Sequence, residues 1–393
     1  MITVKENIYW VGHVDWSLRN FHGYSTPYGT TYNAYVVLDE KPTLIDTVKD
    51  YGFEEMLWRI KKVINPTKIQ YIILNHTEMD HSGSIEKILD FCPQAEIICS
   101  PKGQESLKKH FGKSWKLKLA QTGSTLPIGK KAFKFFLTPM VHWPDSMVSY
   151  LETDKILFSN DAFGQHYASP ERFADEAGED IVFKEAAKYY ANIVMPYGEQ
   201  VLKALEFLQS LPLDKICPSH GVIWRQKQDI ETIIDLYNRW GSHRTEQKAL
   251  IIYDTMWHST EKIAKKLYEF IDTENIPVRL INLKDEHISD IVAEILFAKV
   301  ILLGSPILNN RIFPSVAGFL AYLKGLKPKN RLGFTFGSYG WSNSGFKELE
   351  DSLKESGIEL ISEGAYFRYV PTQDDLAGLE KVAVKIKGLL KED

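Results

Sequence analysis

The sequence predicts a two-domain α/β protein whose second domain is a doubly wound parallel sheet. Three observations predict it. The chain is 393 residues long with an ordinary globular composition, comfortable for two domains. A polar, unpatterned stretch, Gly241–Lys248 (GSHRTEQK), follows a change of texture after Tyr237 and suits a linker. Beyond it, five strand–helix alternations follow one another, the pattern of a parallel sheet with crossover helices. The expected domains are 1–245 and 246–393.

In the first domain, Thr31–Leu38 and Pro42–Asp46 read as strands, Phe53–Val63 as a helix and Lys68–Leu74 as a strand. Ser84–Phe91 reads as a short helix capped by Ser82 or Ser84. Ala132–Leu137 and Ile156–Ser159 are expected strands, Ile181–Tyr190 and Val201–Gln209 helices, and Lys215–Cys217 a short strand stopped by Pro218. In the second domain the expected strands are Ala249–Tyr253, Val278–Leu283, Lys299–Leu303, Leu332–Phe336 and Ile358–Ser362. The expected helices are Thr260–Phe270, Ile288–Phe297, Ser315–Lys324, Phe346–Lys354 and a last one from Asp375.

Composition excludes several classes. Hydrophobic residues at 44% and charged residues at 25% argue against disorder. A formal net charge of −4 provides no basic field for nucleic acid or an anionic membrane. No apolar run approaches the roughly 18 residues of a spanning helix. The N-terminal MITVKENIYW is too polar for a signal peptide, so a cytoplasmic location is the expectation. Cys92, Cys99 and Cys217 form no CxxC pair, which rules out a disulfide framework or a built-in Cys-ligated iron centre. A one-electron donor would then be a separate molecule.

The strongest chemical signal is His76-Thr77-Glu78-Met79-Asp80-His81 at the end of the Tyr71–Leu74 strand. Four metal-competent side chains fall within six residues. If the segment is extended, residues 76, 78 and 80 point to one side and His81 elsewhere, which would suit two ions. His142, Asp161 and His220 each follow an expected strand, so seven donors gather at strand ends. Any one of these three alone reads as an ordinary loop residue; the set does not. His13, His110, His166, His243 and His287 lack ligand spacing and read as ordinary surface or core residues.

A second constellation lies in the second domain. Thr255-Met256-Trp257-His258-Ser259-Thr260 joins its first strand to a helix, and hydroxyls with free N–H groups at a helix start make an anion site. No P-loop lysine and no G-x-G-x-x-G occurs here, which argues against ATP or NAD. Two further turns, Pro306-Ile307-Leu308-Asn309 and Ser338-Tyr339-Gly340-Trp341, fall at the same sheet edge and offer aromatic surface to a flat ring.

The order H-x-E-x-D-H, His, Asp, His resembles the metallo-β-lactamase fold, whose usual first motif carries a histidine where Glu78 stands. With the flavin-type loops, Gly29–Tyr35 (GTTYNAY), His142–Met147 (HWPDSM) and Ser159–Gln165 (SNDAFGQ), the whole chain resembles the flavodiiron proteins. The resemblance implies an αββα sandwich followed by a flavodoxin-like five-stranded sheet. It implies two iron ions per chain, one held by His76, Glu78, His142 and Asp161, the other by Asp80, His81, Asp161 and His220, with Asp161 shared. Asp161, His81 and His22 are the expected catalytic residues, with His22 and one of Tyr189 or Tyr190 near the metals. His81 is the least secure ligand, because some family members do not use it. FMN would occupy the three loops, although many relatives carry Thr at Ile307. The implied activity is reduction of O2 to water, of NO to N2O, or both. Electrons would come from a separate donor such as rubredoxin or a reduced deazaflavin, and the assembly would be a head-to-tail homodimer or a dimer of dimers. The competing readings are a metal-dependent hydrolase with a flavodoxin-like module, against which Glu78 tells, and a gas sensor, for which no signalling segment is expected after the last helix.

Overall fold

In a computed structural model residues 2–272 and 276–391 are described. The chain divides into two compact units, one of Met1–His22, Thr26–Tyr189 and Tyr197–Gly241, the other of Gly23–Ser25, Tyr190–Pro196 and Ser242–Asp393.

The first unit is built on two sheets. A seven-stranded sheet runs in the order Ile2–Lys5, Ile8–Trp10, Tyr35–Val37, Thr43–Ile45, Tyr71–Ile73, Glu96–Cys99, Leu117–Leu119, and is parallel from Thr43–Ile45 onward. A five-stranded sheet runs Thr125–Pro127, Ala132–Leu137, Met147–Leu151, Ile156–Asn160, Lys215–Pro218, with only the last pairing parallel. The two-residue period of a strand sorts side chains between two cores. Tyr35, Val37, Ile45, Ile73 and Ile98 pack with Phe133, Phe135, Leu151 and Phe158 of the other sheet. Their neighbours Val36, Leu44, Ile72 and Ile97 face Phe53, Met56, Leu57, Ile60, Ile85 and Ile88 on helices. This is the expected αββα sandwich.

The helix Phe53–Val63 shows why one stretch folds as it does. Its buried residues Phe53, Met56, Leu57 and Ile60 recur at helical spacing, with Glu54 and Glu55 in the first turn and Lys61 and Lys62 in the last. The charges oppose the helix dipole at both ends.

The second unit is a parallel sheet in the order Val278–Asn282, Glu246–Tyr253, Ala298–Leu308, Arg331–Tyr339, Ile358–Leu360, that is 2-1-3-4-5 by chain position. This is the flavodoxin-like winding, with its ligand crevice at the carboxyl ends of the strands. Among the described residues no helix is long and apolar enough to cross a membrane.

Several local expectations need correcting. Thr31–Leu38 is two strands, Thr30–Tyr32 and Tyr35–Val37, in different sheets. The side chain of Asn33 explains the break: it donates to Pro218 O and Gly221 O rather than running on in a ladder. The helix near residue 85 spans Ile85–Leu89 and neither serine caps it: Ser84 makes no side-chain cap bond, and Ser82 donates its hydroxyl to Thr77 O. The helix Glu179–Tyr189 ends a residue short of Tyr190, where the chain widens into a π turn, Tyr190–Val194. The polar stretch Gly241–Lys248 is not all linker, because the helix Lys227–Gly241 ends in it and the strand from Glu246 begins in it. The fifth sheet position is shared by Ile358–Leu360 and Ala365–Arg368, both parallel to Arg331–Tyr339. The final helix is two, Gln373–Gly378 and Glu380–Lys391.

Candidate metal centre and cofactor cleft

Strand ends bring the seven donors together. His76 lies three residues beyond Tyr71–Ile73, Asp161 directly follows Ile156–Asn160, His220 follows Lys215–Pro218, and His142 sits in the loop after Ala132–Leu137. The extended arrangement expected for 76, 78 and 80 does not occur. Met79–Ser82 is one helical turn begun at Glu78, so Asp80 and His81 leave the backbone at successive helical positions. Adjacent helical residues diverge, and this is what lets both face one point from different sides.

The donors form two groups: His76, His142 and Asp161, and Asp80, His81 and His220. Asp161 Oδ2 lies 3.4 Å from His142 Nε2 and 3.9 Å from His76 Nε2. Its other oxygen, Oδ1, lies 3.1 Å from His81 Nε2 and 3.3 Å from His220 Nε2. Glu78 Oε2 joins the first group at 3.2 Å from His76 Nε2 and 3.6 Å from His142 Nε2. Asp80 completes the second, 3.4 Å from His81 Nε2 and 3.3 Å from His220 Nε2. Donor atoms bonded at about 2.1 Å to one ion stand roughly 3.0–3.5 Å apart, so these spacings suit two ions with Asp161 between them.

Electrostatics supports the fit. Asp161, fully buried, has no hydrogen bond to either oxygen among the described residues, and neither does Asp80 Oδ1. Unpaired buried carboxylate oxygens are costly unless an ion compensates them. Without a metal, protons on His76, His81 and His220, whose pKa values are all raised, against burial, by the facing carboxylates, offset that charge instead. Burial disfavours the protonated ring at His220, yet the neighbouring carboxylates of Asp161 and Asp80, each 3.3 Å from Nε2, hold its pKa up at about 10. Burial likewise opposes ionisation of Asp161, but His81, His142 and His220 hold it well below the usual carboxylate range. Three carboxylates, Glu78, Asp80 and Asp161, facing four neutral imidazoles would suit two divalent ions. A carboxylate at Glu78 makes the set harder than an all-histidine one and favours iron over zinc.

Residues outside the seven fix the rings. Asp145 accepts from His76 Nδ1 at 3.0 Å and from both the backbone N (2.8 Å) and the hydroxyl (2.6 Å) of Thr77. Burial opposes its ionisation, but His76 and Thr77 hold its pKa down at about 2. His220 donates its Nδ1 proton to Thr31 O at 2.7 Å. Asp46, pushed up to about 6 by burial against the pull of His81 and Asn75, accepts from Asn75 N at 2.8 Å. Sequence spacing could not assign these roles: Asp145 lies 69 positions from His76, and a backbone carbonyl carries no residue signature. The His142–Met147 motif was the only hint.

His22 places Nε2 3.3 Å from Glu78 Oε1, and its side chain is 72% exposed, so it stands at the open side of the centre. Of the two tyrosines, Tyr189 is the one beside the centre, its ring 6.0 Å from that of His220. It is also fully buried, so it is a core residue as well. His166 is a core residue: buried and hydrogen-bonded to the Thr30 hydroxyl at 2.8 Å, it packs its ring against those of Tyr189 and His220. His13 pairs with Glu55, and His287 accepts from Ser289 N to start a helix, as ordinary residues do.

The second unit carries a cleft of about 450 Å³ lined by Met256, Trp257, Ser259, Pro306, Ile307, Leu308, Asn309, Ser338, Tyr339, Gly340 and Trp341. Tyr369 and Val370 also line it and were not foreseen, since they follow the unexpected strand Ala365–Arg368. Thr255, His258 and Thr260 stand behind the lining rather than in it. Thr255 Oγ1 is buried without a partner among the described residues, Thr260 Oγ1 meets Ser338 Oγ at 2.9 Å, and His258 turns out to Glu261 at 2.6 Å. The helix Ser259–Ile271 starts with no side-chain cap, so its first N–H groups are free for an anion. Trp257 and Trp341, 86% and 81% exposed, offer two indole faces at the cleft. Gly337 permits the close strand approach: a Cβ there would meet Ser305 O at 2.2 Å. A phosphate-bearing planar group such as FMN fits this chemistry.

Comparison with known proteins agrees with both halves. Residues 30–221 match the ODP family beta lactamase model, and residues 251–381 match flavodoxin. A nitric oxide reductase of Moorella thermoacetica is 42% identical, with 98% of each chain aligned. Among solved structures, the rubredoxin oxygen:oxidoreductase of Desulfovibrio gigas superimposes with a TM-score of 0.96 at 41% identity, covering 99% of this chain and 98% of that one. The flavodiiron protein of Giardia intestinalis gives 0.96 at 34% identity, covering 99% and 96%. A metal-competent sandwich and a flavodoxin-type module, each with its own site and each matched over its length, place this chain in the flavodiiron protein family, as an oxidoreductase of FMN and iron.

Proposed function

We propose that the protein reduces O2 to water, NO to N2O, or both, at a non-haem diiron centre supplied with electrons through FMN. The observation that carries this is Asp161, one buried carboxylate whose two oxygens face two separate donor groups. When bound, the iron pair supplies electrons and Lewis acidity to a diatomic substrate, and the flavin gathers those electrons from a donor.

The residues have separable tasks. His76, Glu78 and His142 would hold one ion, Asp80, His81 and His220 the other, and Asp161, with one oxygen toward each donor group, would serve both. Asp145 and the Thr31 carbonyl set which nitrogen of His76 and His220 carries the proton, leaving Nε2 free. His22, exposed and 3.3 Å from Glu78, can hold a proton at the solvent side of the centre, where water-forming chemistry consumes protons. In the other unit the uncapped helix start and the Thr255 hydroxyl would take the phosphate, and Trp257 and Trp341 would flank the ring. Residues 1–245 would carry the diiron centre and residues 246–393 the flavin.

Glu78 and the aromatic cleft leave a zinc hydrolase without an observation in its favour. All three cysteines are buried and free, so none of them holds an electron-transfer centre; rubredoxin is the first choice of donor, because the Desulfovibrio relative is named for it. A cytoplasmic location and a head-to-tail homodimer complete the proposal. Sedimentation of an active monomer would exclude the dimer. The substrate question is tested by anaerobic reduction of the iron- and FMN-loaded protein, followed by O2 and NO consumption at matched donor concentration. Turnover of either supports the proposal; turnover of neither, with thioester hydrolysis instead, refutes it.

A further inference from the structure

The two donor groups have the same composition. Each has two imidazoles, one carboxylate of its own (Glu78 or Asp80), and one oxygen of Asp161. Any difference between the metal positions must therefore come from what stands behind the ligands, and there the two are unlike. His76 Nδ1 faces a full negative charge, both oxygens of Asp145 lying 3.0 and 3.1 Å away. Asp145 is buried and immobilised by Thr77 and, through its carbonyl, by the Ser100 hydroxyl at 2.7 Å. His220 Nδ1 faces only a neutral carbonyl, Thr31 O. His81 Nδ1 is buried and has no hydrogen-bond partner among the described residues.

A carboxylate accepting from the far nitrogen of an imidazole pushes electron density onto the near one, and so raises its basicity as a ligand. A more basic ligand stabilises the ferric ion more than the ferrous ion. A carbonyl dipole does this more weakly, and an unpartnered N–H not at all. Two competing charges are nearby. His22 Nε2 lies 3.3 Å from Glu78 Oε1, but its side chain is 72% exposed and screened by solvent. Asp46 lies close enough to feel His81 and Asp161, but its carboxylate is taken by Asn75 N at 2.8 Å and Asn75 Nδ2 at 3.2 Å and touches no ligand ring. It acts through space only.

Resting on the diiron reading above, we infer that Asp145 makes the metal positions electronically unequal. The His76–Glu78–His142 position has the lower reduction potential, so in the half-reduced centre the ferrous ion sits at Asp80–His81–His220. Asp145 is thus a positioning residue that orders the arrival of electrons, with no contact of its own to substrate or metal.

The test is an equilibrium redox titration of the iron- and FMN-loaded protein, following the mixed-valence signal by electron paramagnetic resonance, with iron counted in every sample. Asp145→Asn keeps the shape and removes the charge. It should raise the lower of the two iron potentials, leave the upper one in place, and so shrink the mixed-valence signal and its range. Thr77→Val removes a hydroxyl donor from Asp145 and leaves the carboxylate freer to accept from His76. It should shift the same potential downward and widen the range. Opposite signs are the signature, because general loosening of the site would move both variants the same way. Shifts of one sign in the two variants, or movement of the upper potential alone, would overturn the inference. Loss of such a partner weakens metal binding by roughly 10- to 100-fold. If Asp145→Asn therefore loses its iron, Thr77→Val decides alone: a downward shift of the lower potential supports the inference, and no shift or an upward one overturns it. A wild-type protein that binds two irons per chain and gives the mixed-valence signal upholds the diiron reading whatever the variants do. One that binds no iron pair removes that reading and the inference together.

Discussion

His81 turns Nε2 towards Asp161, 3.1 Å from Oδ1, while its buried Nδ1 has no acceptor among the described residues. His220, in the same donor group, has both nitrogens engaged. A metal-bound imidazole usually donates its second N–H, which fixes the ring and strengthens the bond. His81 is therefore the weaker-held ligand of the pair. His81→Asn is expected to lose less iron than His220→Asn, and both to keep the iron held by His76 and His142. Metal analysis of the three proteins, loaded side by side, checks the order; equal loss would contradict it.

Glu78 sits between His76 and His142 with an oxygen at 3.2 and 3.6 Å from their Nε2 atoms. Replacing it by an imidazole softens that position and removes one negative charge. Glu78→His should shift metal selection from iron towards zinc. The check is growth or reconstitution with equal iron and zinc, then the metal ratio. An unchanged ratio would show that Glu78 does not set the preference.

Much of this centre was legible in the chain because His76, Glu78, Asp80 and His81 crowd six positions at the end of a strongly apolar strand. Their geometry was not legible. An extended run was the natural reading, but four residues, Met79–Ser82, are too few to show helical periodicity, and they form a turn of helix. Asp145 stayed hidden for a different reason: its partner His76 is distant in sequence, and an aspartate in a loop reads as solvated until the fold buries it. His166 read as a surface or core residue, and nothing in its neighbours predicts its packing on His220. In the second unit the hydroxyl-rich turn pointed to an anion site, whereas Tyr369 depended on a strand, Ala365–Arg368, too short to be read.

The Thr260 hydroxyl meets Ser338 Oγ at 2.9 Å and ties the first βα turn to the fourth strand. Thr260→Val keeps the shape and removes the tie. A hydrogen bond between two neutral hydroxyls is worth about 0.5–1.5 kcal/mol, so FMN should bind roughly 2- to 13-fold more weakly. Fluorescence titration of the apo-flavoprotein measures it. Unchanged FMN affinity would show that this tie does not support the cleft.

The metal-free protein should lose stability as pH rises. His220, with its pKa raised to about 10 against the ordinary 6.5, contributes stability that is fully present below about 6.5 and lost as pH climbs through 10. At the acid end Asp145, held at about 2, contributes stability present above about 3.9 and lost as pH falls through 2. Melting curves of the metal-free protein should show Tm falling between pH 6.5 and 10. The iron-loaded protein should be flatter there, because a metal-bound Nε2 carries no proton to lose. A metal-free Tm that rises over this range would contradict the assignment of protons to the site.

The most direct measurement mixes anaerobically reduced protein with O2 or NO in a stopped-flow instrument, comparing the FMN-loaded protein with and without its iron. Flavin reoxidation should be fast and should consume the gas only when both the iron and Asp161 are present, with Asp161→Asn behaving like the iron-free protein. Equal rates with and without iron would contradict the central claim, because the flavin alone would then be the site of reaction.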